Sequence, residues 1–264
     1  MSIEDIDFGR LYRDHMARTA KKHRSPADWD ARAQTMSRGV FTGAYVDGFV
    51  ARLDLANCAT LLDVGCGPGT ISLRAAPRLA QVYGLDYSPG MLASFAENAA
   101  ARGLSNAAPI LRAWEDEWTD VPVCDVVVAS RSTSVADLEA ALIKLHAHAR
   151  RRVYLTQLAS GRLLDAQIYA ALGRDVEPRP DYIYAVNILR QLGIRPAVDY
   201  LEGENRWRTC ADAEDFLRKV TWSLGELTAD ERERLRRYYQ QNREQLGKRP
   251  VWWALISWEK DRAG

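Results

Sequence analysis

What this chain of 264 residues has little of narrows its chemistry first. Its four cysteines, Cys58, Cys66, Cys124 and Cys210, form no CxxC pair, so neither a zinc knuckle nor a disulfide framework is expected. Three of them sit in or beside apolar runs, where a free thiol behaves as a small buried hydrophobe. No uncharged apolar run reaches 18 residues, and the opening MSIEDIDFGRLYRDH lacks the apolar stretch of an export signal, so neither a membrane span nor secretion is expected. A cytoplasmic location follows as an expectation. An excess of charge is missing too: 36 Lys plus Arg face 35 Asp plus Glu, and no global field pulls the chain toward nucleic acid or an anionic membrane. A small-molecule substrate suits that balance. Histidine is scarce, and His146 and His148 lie i,i+2 on an expected helix, too far apart in angle to share a metal.

What is there is an alternating pattern. With 47% hydrophobic residues the chain can bury a sizeable core, and apolar β-runs alternate with helical patterns between residues 58 and 158, the rhythm of a parallel sheet with crossover helices. The expected strands are TLLDV (60 to 64), QVYGLD (81 to 86), PILRA (109 to 113), CDVVVAS (124 to 130) and RVYLTQL (152 to 158). The fourth is near-continuously apolar, as a strand buried on both faces must be. Ser88 and Pro89 open a helix that Gly103 closes, and DLEAALIKLHAHA (137 to 149) is another. Beyond residue 160, helices are expected at 181 to 193, 212 to 222 and 228 to 246, with strands PAVDYL (196 to 201) and VWWALISWE (251 to 259). The N-terminal segment is charged and helical in pattern and carries the basic cluster KKHR (21 to 24). The reading is one domain over residues 1 to 264: an N-terminal helical cap (1 to 54), a cofactor-binding core (55 to 160), helices and a strand on the expected substrate side (161 to 250) and a terminal strand (251 to 264).

The stretch LLDVGCGPGT places Gly65, Gly67 and Gly69 at alternate positions after an apolar strand that holds Asp63. A glycine-rich turn between strand and helix brings bare backbone N–H groups up to a ligand, and the helix N-terminus favours anionic groups. Dinucleotide enzymes use GxGxxG; here the spacing is GxGxG, with Thr70 where their last glycine stands. Asp86 closes the second strand, 86 − 65 = 21 residues after the first glycine, about where a carboxylate accepts hydrogen bonds from ribose hydroxyls. The alternative is a buried structural aspartate, which would be desolvated without a partner.

LLDVGCGPGT, GLDYSPGML and CDVVVAS together resemble the class I S-adenosylmethionine-dependent methyltransferases, over about residues 55 to 160 and in the family's order. WDARA, ASRSTSV and WWALISWEK are similar to a less characterised prokaryotic group within that class. The resemblance implies an α/β fold: a doubly wound, mostly parallel seven-stranded Rossmann-like sheet with an N-terminal helical segment and a helical insertion before the last strand. It implies S-adenosyl-L-methionine as cofactor and S-adenosyl-L-homocysteine as product. Asp63 and the backbone at Gly65, Cys66 and Gly67 would hold the methionine end, Asp86 the ribose, and Tyr87 and Met91 one adenine face. Trp114 and Glu115 would approach the adenine edge, although the third strand ends at Ala113 where the family often has an acid; a core role competes for Trp114. Ser130 and Arg131 finish the fourth strand, where an arginine is either a surface residue or an anchor for carboxylate or phosphate. Trp29 and Arg32 would cover the cofactor, or else dock their helix on the sheet.

Methyl transfer from a sulfonium is an in-line displacement to which alignment and desolvation contribute much, and it needs no metal. An amine or thiolate acceptor needs no strong base, whereas a hydroxyl or an acidic carbon does. The catalytic candidates are His15, read as a base with helix capping as its alternative, Tyr12 near it in the N-terminal segment, and Arg131; the aromatics Tyr182, Tyr184 and Trp207 would wall the acceptor or simply pack. Rival readings are a tRNA methyltransferase drawn by KKHR and ARRR, a non-catalytic cofactor-binding module, and a nicotinamide-dependent oxidoreductase. No NPPY or DPPY motif closes the fourth strand, and Cys124 is followed by Asp rather than preceded by Pro in a Pro-Cys pair. The expected outcome of a thermal-shift assay is stabilisation by S-adenosylhomocysteine and none by NAD; the reverse would favour the oxidoreductase.

Overall fold

Seven strands form one sheet in this computed structural model, which describes residues 2–19, 25–36, 41–160, 162 and 164–260. The basic cluster expected at 21 to 24 lies outside the described residues. The strands are β1 (Thr60–Val64), β2 (Gln81–Asp86), β3 (Ala107–Leu111), β4 (Cys124–Ser130), β5 (Ala149–Leu158), β6 (Ala197–Gly203) and β7 (Val251–Glu259), in the order β3-β2-β1-β4-β5-β7-β6. The first five run parallel, and β7 lies antiparallel between β5 and β6. The helices are α1 (Phe8–Thr19), α2 (Pro26–Met36), α3 (Ala44–Ala51), α4 (Ser72–Ala75), α5 (Pro89–Ala101), α6 (Leu138–His148), α7 (Ala166–Leu172), α8 (Tyr182–Gln191), α9 (Ala213–Leu224) and α10 (Ala229–Asn242). The sheet is thus the mixed, doubly wound arrangement the resemblance implies.

β4 shows why the sheet sits at the centre. Val126 and Val128 pack on one face with Leu61, Val82, Tyr45 and Phe49. Val127 and Ala129 pack on the other with Leu62, Val64, Leu142 and Ile188. A strand apolar at every position can do this because alternate side chains meet different layers of helices. Local chemistry sets the helix ends. The Ser88 hydroxyl accepts from the Met91 N–H at 3.1 Å, with Pro89 in the first turn of α5. Asp137 caps α6 through the Ala140 N–H at 3.0 Å, and Thr228 with Glu231 forms a reciprocal capping box on α10.

A second apolar cluster lies apart from these two layers. Ile168 and Leu172 of α7, Phe216, Leu217 and Val220 of α9, Leu235 and Tyr239 of α10, and Trp207 bury one another. Trp207 therefore packs in this cluster, edge-on to Phe216 with the ring centroids 5.6 Å apart.

Several elements differ from the sequence reading, among them β3, β5 and α7. The third strand, expected at 109 to 113, is Ala107–Leu111, because the Asp116 carboxylate accepts the Ala113 N–H at 2.8 Å and turns the chain away from the sheet. β5 begins at Ala149, which pairs with Cys124, three residues before the expected start. α7 was not expected; its signals were Asp165 before it and Gly173, in a left-handed conformation, after it.

Gly84 lies in the middle of β2, where a Cβ would stand 2.5 Å from Phe95 Cε2 and 2.9 Å from Cys66 Sγ. Gly84→Ala is expected to cost about 1–3 kcal/mol by overpacking, read as a lower urea midpoint at unchanged slope.

Candidate active site at the carboxyl edge of the sheet

β1 delivers the chain into the glycine turn at the edge where α/β sheets bind ligands. The N–H groups of Gly65 and Cys66 both donate to the Leu85 carbonyl, at 2.7 and 3.0 Å, and pin the turn to the end of β2. Gly65 has φ 68°, and a Cβ there would lie 2.3 Å from Ser132 Cβ, so neither its conformation nor its surroundings admit a side chain. Gly67, at φ 53°, is different: a Cβ would meet only Met91 Sδ, at 3.9 Å. Its backbone therefore presents an open face.

Two buried carboxylates bracket this turn. Asp63, 1% exposed, accepts through Oδ2 from the Ser72 hydroxyl at 2.7 Å and the Ser72 N–H at 3.3 Å. Its Oδ1 is buried and has no partner among the described residues. Burial pushes the Asp63 carboxyl up to about 7, against the hydrogen bonds from Ser72. Asp86, 7% exposed, accepts from the Gly67 N–H at 2.9 Å through Oδ2 and from the Ser88 N–H at 3.0 Å through Oδ1. Burial raises its pKa while the amides of Ser88, Gly67 and Tyr87 oppose the shift. A carboxylate offers about four lone-pair directions, so Asp86 retains capacity for a diol.

Around them, Met91 is buried and Tyr87 half-buried. Burial raises the Cys66 thiol well above its usual range, which leaves it inert as a nucleophile. Trp114 packs on Trp118, with centroids 5.5 Å apart, and against the core beside α6, while Lys144 Nζ donates to its carbonyl at 2.7 Å. Glu115 is exposed. Since the strand ends at Leu111, both follow a turn rather than the strand tip.

α2 contributes a residue that sequence reasoning passed over. Asp30 Oδ1 accepts from the Ser88 hydroxyl at 2.6 Å and the Gly90 N–H at 2.8 Å, seating α2 on the first turn of α5 next to Asp86. A Cβ on Gly90 would lie 2.9 Å from Asp30 Cα, so the glycine after Ser88-Pro89 was the available signal. Trp29 and Arg32 reach α9 instead. Trp29 meets Trp222 edge-to-face at 5.7 Å, and the Arg32 guanidinium lies 4.6 Å from the Trp222 ring centre.

At the end of β4 the Tyr45 hydroxyl joins Ser130 Oγ (2.8 Å) and Thr156 Oγ1 (2.7 Å), and Thr156 Oγ1 accepts the Arg131 N–H at 3.0 Å. Arg131 holds φ 57°, a strained conformation for a residue with a Cβ. Its exposed guanidinium stacks 4.2 Å from the Tyr45 ring centre and 5.8 Å from that of Trp253. Among the described residues it has no carboxylate partner.

The catalytic candidates Tyr12 and His15 are otherwise engaged. The Tyr12 hydroxyl donates to the Val135 carbonyl at 2.8 Å, and burial, with Asp137 adding, raises its pKa far above the ordinary phenol value. His15 Nε2 lies 2.8 Å from the Pro178 carbonyl and Nδ1 2.8 Å from the Tyr184 hydroxyl. A carbonyl only accepts, so Nε2–H donates to Pro178, and Nδ1 is paired with the Tyr184 hydroxyl. No lone pair of His15 is left for a substrate proton.

Comparison with known proteins agrees with this arrangement. A profile described as a methyltransferase domain matches residues 61–152. An uncharacterized protein of Haemophilus influenzae (strain Rd) is 37% identical over 267 residues, spanning 99% of this chain and 100% of its own. The chain belongs to the class I S-adenosylmethionine-dependent methyltransferases. At the level of fold, this methyltransferase is similar to magnesium protoporphyrin IX methyltransferase of Synechocystis PCC 6803 with bound SAH (16% identity, TM-score 0.52, 98% of this chain and 100% of that one). It is also similar to coclaurine N-methyltransferase bound to N-methylheliamine and SAH (13% identity, TM-score 0.50, 98% and 95%).

Asp63 gives this methyltransferase a pH signature without ligand. Its folded-state value of about 7 lies above the ordinary 3.8, so folding holds the proton more tightly. The group's contribution is full below the unfolded value and is lost as pH rises toward about 7. The stability gap between Asp63→Asn and the parent protein should therefore widen in favour of the variant across that window, as read from urea midpoints.

Proposed function

We propose that this protein transfers the sulfonium methyl group of S-adenosyl-L-methionine to a small-molecule acceptor and releases S-adenosyl-L-homocysteine. Asp63 carries the reading. A buried carboxylate with one oxygen unpartnered at a glycine turn calls for a cation, and the cofactor's α-ammonium is one. Asp86, with lone pairs to spare, takes the ribose diol, and the open backbone at Gly67 lets the ligand approach closely. Arg131 offers its guanidinium to a carboxylate of cofactor or acceptor.

The donor supplies an activated methyl group when bound; the chain's own part is to align the reactants and keep water out. Neither Tyr12 nor His15 is placed as a base, which favours an acceptor whose attacking atom already carries an available lone pair, such as a neutral amine. Support for a small acceptor comes from the near-neutral composition and from the related folds, whose named compounds are magnesium protoporphyrin IX and N-methylheliamine. The tRNA reading is weakened at two of the three arginines of ARRR (149 to 152): Arg151 pairs with Asp125 at 3.8 Å, and Arg152 with Asp54 at 2.9 Å and Glu259 at 3.0 Å. Those charges are neutralised within the fold.

Incubation with methyl-labelled cofactor and a metabolite extract should move label onto a low-molecular-weight compound. Calorimetry should show S-adenosylhomocysteine uptake that Asp86→Ala weakens at least about ten-fold, which corresponds to about 1.4 kcal/mol. Arg131→Ala separates two roles. Loss of homocysteine-nucleoside affinity assigns the arginine to the cofactor's carboxylate, and loss of transfer alone assigns it to the acceptor. Absence of any uptake by the parent protein would overturn the reading.

A further inference from the structure

Strand order sets where an acceptor must come. Asp86 stands at the end of β2 and Asp63 in β1, so a cofactor held as proposed would turn its reactive end toward the next strands in the sheet order, β4 and β5. Gln157 stands there. Ser130, the last residue of β4, pairs with Thr156, which puts Gln157 one residue beyond, on the sheet face of Val153 and Leu155. Across β7 its neighbour is Ala254, with only a methyl group.

The Gln157 amide is half satisfied. Nε2 donates to Thr133 Oγ1 at 3.3 Å, in the segment that follows β4, and Thr133 itself is 2% exposed. Oε1 is closed off from solvent without a partner. Turning the amide over changes which end meets Thr133 and still leaves one end unmatched. Leucine would fill nearly the same volume without that penalty, so an amide kept here signals a ligand that completes it.

Two residues on, along the same face, Ala159 borders an open cavity of about 490 Å³ whose other walls are Ser160, Tyr200 and Trp252. Both aromatics are exposed, Tyr200 at 44% and Trp252 at 48%. Tyr200 is held in place by Tyr182: their hydroxyls are 2.7 Å apart and their rings edge-to-face at 5.8 Å. Flat apolar walls suit a ring, and an unmatched amide carbonyl suits a hydrogen-bond donor on its edge.

We propose that this cavity is the acceptor site, that it takes a flat, largely apolar ring compound, and that Gln157 binds an N–H or O–H group next to the atom that receives the methyl. The inference rests on the methyl-transfer reading. For an amine acceptor the nitrogen lone pair forms the new N–C bond while the C–S bond breaks with its electron pair going to sulfur. The cofactor becomes a neutral thioether, and the proton displaced from nitrogen passes to water.

The test compares the parent protein with Gln157→Leu and Trp252→Ala, using methyl-labelled cofactor and a metabolite extract, S-adenosylhomocysteine calorimetry and thermal melting. Gln157→Leu should lower transfer at least ten-fold, keep homocysteine-nucleoside affinity within two-fold, and melt at or above the parent temperature, because it removes an orphan that only the acceptor satisfies. Trp252→Ala should raise KM more than it lowers kcat, and the labelled product should absorb as an aromatic compound. Unchanged transfer by Gln157→Leu, a lower melting temperature, or a labelled product without a ring would each overturn the proposal. Absence of transfer by the parent protein would instead overturn the methyl-transfer reading on which it stands.

Discussion

The hydrogen bond from the Gly67 amide to the Asp86 carboxylate joins the ends of two neighbouring strands, and the ligand-binding edge is organised around it. It fixes the glycine turn against β2 and orients Asp86, and through Ser88 it reaches the N-terminus of α5. Asp86 could not remain charged at 7% exposure without such donors. The same amide that stabilises the carboxylate in the empty fold therefore also aims its remaining lone pairs outward.

The two acids of the edge are treated in opposite ways. Asp86 has both oxygens engaged by backbone amides, whereas Asp63 has one oxygen bonded to Ser72 and the other abandoned. A buried group left unmatched is a local cost that packing elsewhere must carry. Gln157 repeats the pattern at β5. The unmatched atoms of Asp63 and Gln157 thus lie on strands that flank β4, on either side of the place where donor and acceptor are proposed to meet.

Much of this edge was legible in the residues themselves. β1, β2, β4 and β7 have the ends expected from the sequence because each is an apolar run bounded by turn residues or an acid. β3 was displaced because its end depends on Asp116 capturing an amide, which no run of hydrophobic residues announces. Asp63, Gly67 and Asp86 were readable because their spacing is local to one strand-turn-helix-strand unit. What Tyr12 and His15 bond to was not readable, since their partners Val135, Pro178 and Tyr184 lie more than a hundred residues away in the chain. Asp30 and Gln157 are single polar residues without a periodic pattern around them, and only tertiary placement shows what each one faces.

α2 touches two different bodies with two different kinds of contact. On one side Asp30 grips α5 through directional hydrogen bonds; on the other, Trp29 and Arg32 lean on the face and edge of one indole of α9. Hydrogen bonds tolerate little displacement before they weaken, while ring contacts slide at small cost. The joint is therefore held by directional bonds where it meets α5, beside Asp86. Through α2, the helical insert is thus in touch with the strand end where Asp86 sits, by way of Asp30 and the first turn of α5.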